Sequence, residues 1–174
     1  MSMIEHSSDG WLAEARLAEA LGSGAPTLFA LLAERLAAGP GYRLLTLLAP
    51  NAAGDRLDRL HSTDLEQYPI APADPVEDNR WFEQLFTVGK PIVANSAAEI
   101  AEWLPDFTDF EAQGYGSLLN LPVVYGGATI GLINMMDREG HFDDANVAAV
   151  MSQVGLAALI ILGAGKVSTI RLAR

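Results

Sequence analysis

The chain has 174 residues, half of them apolar and 19% charged, enough to bury one domain-sized core and far from a disordered composition. Its formal net charge is −11 and its cations are not gathered, since Arg56 and Arg59 alternate with Asp55 and Asp58; a nucleic-acid partner is disfavoured. The absence of cysteine removes disulfides, zinc thiolate sites, thiol nucleophiles and thioether-linked cofactors, and suits a reducing cytoplasm.

The first ten residues, MSMIEHSSDG, have neither the basic start nor the apolar stretch of a signal peptide. DGWLAEARLAEALG then reads as a helix from a capping Asp9 to Gly22. APTLFALLAERLAAGP reads as a second, with Pro26 in its first turn and Leu28, Leu31, Leu32 and Leu36 on one stripe. YRLLTLLAP is a strand, NAAGD a turn and RLDRLHST a second strand. Residues 63–77 hold Pro69, Pro72 and Pro75 and read as a loop that cannot join a sheet interior. DNRWFEQLFTVGKP is a short helix capped by Asp78 or Asn79, with Trp81, Phe82, Leu85 and Phe86 as its apolar side. PIVAN is a short strand, and Ser96 caps a helix that reaches at least Trp103 and breaks near Pro105. GYGSLLNLPVVYGGATIGLINMMD is a hairpin about a Gly-Gly turn.

One long helix follows, from Asp143 or Asp144 to about Gly163. Its window VAAVMSQVGLAALIILGAG is the most apolar in the chain, but Ser152 and Gln153 interrupt it and the pure run from Val154 to Ala164 is too short to span a bilayer. It reads as a buried helix, with no membrane partner. The element order predicts an α+β fold, one antiparallel sheet with helices segregated to its faces. The closing helix is apolar nearly all round, through Val147, Val150, Met151, Val154, Leu156, Leu159 and Ile160. A helix on a sheet needs one apolar stripe, so the surplus, partly covered by Trp11, Leu12, Leu17 and Leu21 of the first helix, predicts a homodimer through the terminal helices.

Catalytic motifs are missing: there is no phosphate loop, dinucleotide fingerprint or G-x-S-x-G elbow. His6, His61 and His141 are far apart, none with a second ligand three or four residues away, so no metal site is expected. His61, at the end of the second strand, is either a rim histidine or a ligand contact. Trp103, Phe107 and Phe110 surround the Pro-broken segment with Asp106 and Asp109, and form either a lid over a cavity or plain packing. Asn120 and Asn134 stand in otherwise apolar strands, where an unpartnered amide costs on the order of 1–3 kcal/mol.

The stretch from Gly89 to Leu162 resembles a GAF domain, and with the preceding helix and hairpin the resemblance covers about residues 20 to 165. GKPIVAN is similar to the family's Gly-x-Pro strand, GYGSLLNLPVVYGGATIGLINMMD to its signature hairpin, and GHFDDANVAAVMSQVGLAALII to its closing helix. The resemblance implies a GAF/PAS-like central antiparallel sheet, with N- and C-terminal helices on one face and a loop-covered pocket on the other. It divides the chain into an N-terminal, dimerising helix over 1–24, a GAF domain over 25–165 and a tail over 166–174. Family members bind cyclic nucleotides, bilins, haem, amino acids or other metabolites, or serve only to dimerise.

The family's bilin binders use a cysteine or paired histidines; here the last strand reads Met135-Met136-Asp137, so no covalent bilin is expected and no cofactor is assigned. Phe142 and Asp143 match the cyclic-nucleotide set only superficially, and the free methionine sulfoxide reductases of this fold work through cysteines that this chain lacks. By similarity to the bilin binders, Met136, Asn134 and Leu132 face the pocket from one strand, and Leu118, Asn120 and Pro122 from the other, with Tyr115 near the mouth and Ser117 on the opposite face. The two asparagines then meet a ligand or pocket water, or close on each other. The resemblance implies a non-enzymatic cytoplasmic sensor that binds an unidentified small molecule and signals to a separate protein partner; the alternative is a structural dimerisation module with no ligand.

Overall fold

In the computed structural model, residues 8–105, 112–165 and 170 are described. Two helices, α1 (Ser8–Ser23) and α2 (Ala25–Ala38), lead into β1 (Leu44–Pro50) and β2 (Arg56–Ser62). Next come β3 (Pro72–Pro75), α3 (Arg80–Phe82, continued by a π-helical stretch Glu83–Val88), β4 (Ile92–Ala94), α4 (Ala97–Trp103), β5 (Ser117–Tyr125), β6 (Ala128–Asp137), α5 (Asp144–Met151) and α6 (Val154–Gly163). The strands form one antiparallel six-stranded sheet in the order β3-β2-β1-β6-β5-β4, and the α+β architecture is the expected one.

Local chemistry accounts for most boundaries. Asn79, Ser96 and Asp143 accept from the backbone N–H three residues on, at Phe82, Glu99 and Asn146, and so start α3, α4 and α5. Gly89 ends the π-helical stretch at φ 69°. Gly126 and Gly127, both at positive φ, form the two-residue β5–β6 turn.

Three expectations need correction. The segment 63–77 is not wholly loop: Pro72–Pro75 pairs with β2 as an edge strand, a place where proline's missing N–H can face away from the ladder. The closing helix is interrupted at Ser152–Gln153, where Ser152 Oγ bonds to the Ala149 carbonyl and the Gln153 N–H reaches only three residues back, to Val150. The first helix begins at Ser8, with Asp9 inside it rather than capping it.

One face of the sheet carries the main core. Leu45, Leu47, Leu119, Leu121, Ile133 and Met135 meet Leu28, Leu32 and Leu36 of α2 and Leu156, Ala157, Ile160 and Ile161 of α6. Gly131 makes the close approach of α6 possible: a Cβ there would lie 2.5 Å from both Ile161 Cδ1 and the Leu48 carbonyl oxygen. The other face carries two smaller apolar clusters. Leu44, Leu118 and Met136 anchor one, with Tyr115 and Ile100; Leu48, Leu57, Ile92 and Leu132 anchor the other, with Trp81, Phe82 and Leu85. The terminal helices therefore cover one face, while α3, α4 and the 63–77 segment cover the other. By length and composition, Asp144–Gly163 could cross a membrane; a third of it is buried within the fold.

A polar row in an apolar cavity as the candidate functional site

Between the two smaller clusters lies a partly open cavity of about 530 Å³, within the size range of small-molecule pockets. Its floor follows from strand alternation and register. On the cavity face β1 presents Leu44, Thr46 and Leu48, β6 presents Leu132, Asn134 and Met136, and β5 presents Leu118 and Asn120. Thr46 pairs with Asn134, and Asn134 with Asn120. The middle position of three adjacent strands is thus polar, and apolar residues stand on both sides of it.

The hydrogen bonds in this row have one self-consistent direction. The Trp81 indole N–H donates to Asn120 Oδ1 at 2.8 Å, and Asn120 Nδ2 donates to Asn134 Oδ1 at 2.9 Å. An indole is a donor only, so Asn120 must present its oxygen to Trp81 and its amide nitrogen to Asn134. Asn134 must then answer with its oxygen, and its own Nδ2 is left for the cavity. Asn120 is 2% exposed, tied on both sides. Asn134 is half-buried and its Nδ2 has no hydrogen bond among the described residues, nor has the Thr46 hydroxyl.

Charged groups complete the wall. Arg59 of β2 pairs with Leu48, and its guanidinium donates to the Pro69 carbonyl and lies 5.5 Å from the Tyr68 ring centroid. Tyr68 packs against the cluster of Leu44 and Met136, and Arg59 and Thr46 line the same cavity. Its Nε is out of contact with water and unpartnered. Burial raises the Tyr68 phenol above its ordinary value, which keeps it neutral at physiological pH. At the rim, the Arg80 guanidinium stacks 3.9 Å over the Trp103 ring and joins α3 to α4, with Glu77 and Glu102 nearby on the same exposed edge.

Of the site residues expected from sequence, Leu118, Asn120, Asn134, Met136 and Trp103 line this one cavity. Leu132 and Tyr115 lie on the same side of the sheet, buried in the apolar clusters behind the lining. Phe107 and Phe110 fall outside the described residues. His61 faces the other way, with its ring stacked on Phe29 of α2 at 4.4 Å between centroids. The cause is a β-bulge. Leu47 pairs with His61 but Leu48 with Arg59, so Leu60 is an extra residue and regular alternation from Arg59 to His61 is broken. Ser117 lies on the helix-covered face, two residues before Leu119, with its hydroxyl buried.

Thr46, Arg59 and Trp81 were not singled out from the sequence. Thr46 carried a usable signal, because Leu44-Thr46-Leu48 repeats the alternation of Leu118-Asn120-Pro122 and Leu132-Asn134-Met136. Among the described residues, no three His, Asp or Glu side chains come together as a metal-holding group.

The sheet order, the helix-covered face and the opposite cavity are those of a GAF-like α+β domain. The GAF domain model matches residues 17–162, and the chain belongs to the GAF domain family, whose members generally sense or bind ligands rather than catalyse reactions. No curated protein matches the sequence significantly. Among solved structures, the chain is similar to the GAF domain of an Acinetobacter phosphoenolpyruvate-protein phosphotransferase, with TM-score 0.67 and 13% identity over 95% of this chain and 99% of that one. It is also similar to a GAF domain/HD domain protein from Geobacter sulfurreducens, with TM-score 0.65 and 16% identity over 79% and 92% of the two chains. A third similar structure, at TM-score 0.59 and 14% identity over 92% and 99%, is a type II free methionine-R-sulfoxide reductase from Thermoplasma acidophilum. At these identities the likeness concerns the fold.

Proposed function

We propose that this protein is a cytoplasmic, non-enzymatic sensor that binds a small metabolite in the cavity and passes its occupancy to a separate protein. One observation carries the reading: Trp81 fixes Asn120, Asn120 fixes Asn134, and the chain of hydrogen bonds ends on an amide donor that faces the cavity. A closed structural pair would spend both amides on each other. Here Asn120 accepts from the buried indole while it donates to Asn134, so only one bond joins the two amides and the Asn134 Nδ2 is kept for a guest. The reductase among the similar structures suggests no activity for this chain, which has no cysteine to serve as nucleophile or redox centre.

The test is thermal melting of the protein against a library of cellular small molecules. A compound that binds the native state alone raises the melting temperature in proportion to RT ln(1 + [L]/Kd). The expected result is a small, chemically related set of stabilising compounds. A flat response across the library, with the fold intact, would leave a structural module as the function.

Occupancy can reach a partner through the terminal helices, where Leu21, Met151 and Leu159 are 48%, 52% and 38% exposed. A second copy of the chain is the occupant proposed for this patch. Each of α1, α5 and α6 exposes one large apolar side chain, Leu21, Met151 and Leu159, and these can meet their counterparts across a two-fold axis.

A further inference from the structure

The donors of the cavity floor specify a class of guest. Resting on the reading of the cavity as a ligand site, we infer that the guest is a small organic carboxylate with an apolar body, its carboxylate seated between Asn134 Nδ2, the Thr46 hydroxyl and the Arg59 guanidinium. Asn134 offers only donors to the cavity, because its oxygen is taken by Asn120. Arg59 is always a charged donor, lines the cavity and makes no ion pair with a described carboxylate. An anion in the cavity can accept from the Asn134 amide, the Thr46 hydroxyl and the guanidinium together, and charge-assisted hydrogen bonds are the strong ones. An ammonium would face donors and a guanidinium.

The remaining wall sets the rest of the molecule. Leu44, Leu48, Leu118, Met136, Trp81 and Phe82 surround the row, which suits an aryl or alkyl body. Among the described lining residues the carboxylates are Glu77 and Glu102, which stand at the exposed rim with Arg80. A second negative charge on the guest, pointing outward, would meet them, so a monoanion is favoured in a chain of net charge −11.

The experiment is calorimetric titration with phenylacetate, indoleacetate and octanoate, each beside its amide and amine counterparts. It uses the wild type, Arg59→Gln and Asn134→Asp, each variant first checked for a cooperative melt. Asn134→Asp retains an oxygen for Asn120 Nδ2 while replacing the cavity-facing donor with an acceptor. The expected result is that at least one carboxylate binds about tenfold or more tightly than its amide, that its amine does not bind, and that either variant loses about tenfold or more of carboxylate affinity. If an amide or amine binds as well as its carboxylate, or if both variants bind the carboxylate like wild type, the ligand class is wrong. The same holds if only neutral or cationic members of the metabolite library bind, and in each of these cases the cavity still stands as a ligand site. If neither these probes nor the library bind, both readings fall together.

Discussion

Asn120 and Asn134 look alike in the sequence, each a lone amide in an apolar strand, and the structure separates them. Asn120 is buried and satisfies the Trp81 indole, whereas Asn134 borders the cavity. Asn120→Leu should therefore destabilise the fold by about 1–3 kcal/mol, because it strands a buried indole N–H. Asn134→Leu should cost less, since it leaves the indole paired and breaks one hydrogen bond where Asn120→Leu breaks two; equal losses in urea unfolding would contradict the asymmetry. Strand alternation and the resemblance to the family's bilin binders together place both amides on the pocket face. They could not show which one is spent, because that depends on Trp81, 39 residues away. His61 was legible as a histidine at a strand end but not in its direction, which a single extra residue reverses. Its burial against Phe29 lowers its pKa. Between that value and the unfolded value of about 6.5, the unfolded chain binds more protons. The stability contributed is thus present above about pH 6.5 and lost as pH falls through the folded value. His61→Phe, which can keep the stacking, should flatten the decline of urea midpoints on acidification; an unchanged slope would remove His61 as its source.

At the scale of elements, the Gly-Gly turn, the caps at Ser96 and Asp143 and the Leu stripe of α2 were all readable, because each is set by neighbours within a few residues. The edge strand Pro72–Pro75 was not. Its pairing with β2 is long-range, and its prolines argue locally against any strand. The break between α5 and α6 was visible as Ser152 and Gln153 in an apolar run, although its geometry was not. Contact between α6 and the sheet depends on a residue that no periodicity highlights. Gly131→Ala puts a methyl group against the Leu48 carbonyl oxygen, a backbone atom that cannot rotate away, as well as Ile161. A loss of about 1–3 kcal/mol is expected from such overpacking. Gly155→Ala, whose Cβ would meet nothing within 4 Å, serves as the control. Chemical denaturation of the pair measures the difference, and a Gly131→Ala variant as stable as wild type would mean that α6 does not sit this close.

At the scale of the whole molecule, the proposal is a two-fold dimer through α1, α5 and α6. The apolar excess of the closing helix was legible, but the residues that carry it were not. Leu156 is 6% exposed and belongs to the core, while Met151 and Leu159 look outward. Met151→Glu and Leu159→Glu are accordingly the variants that should dissociate the dimer while leaving the monomer folded, whereas Leu156→Glu should unfold it. Light scattering at micromolar concentration should give about twice the 18.5 kDa chain mass for wild type and the single mass for the double variant. A wild-type monomer would end the dimer proposal and leave the cavity argument untouched.

The central claim is that Asn134, and not Asn120, offers its amide to a guest. Side-chain amide NMR of both residues, in the free protein and with a compound that raises its melting temperature, tests it most directly. In the free protein the Asn134 amide protons should exchange with water faster than those of Asn120, and the guest should shift the Asn134 signals and slow their exchange. Asn134 signals that stay unchanged under every stabilising compound would contradict it.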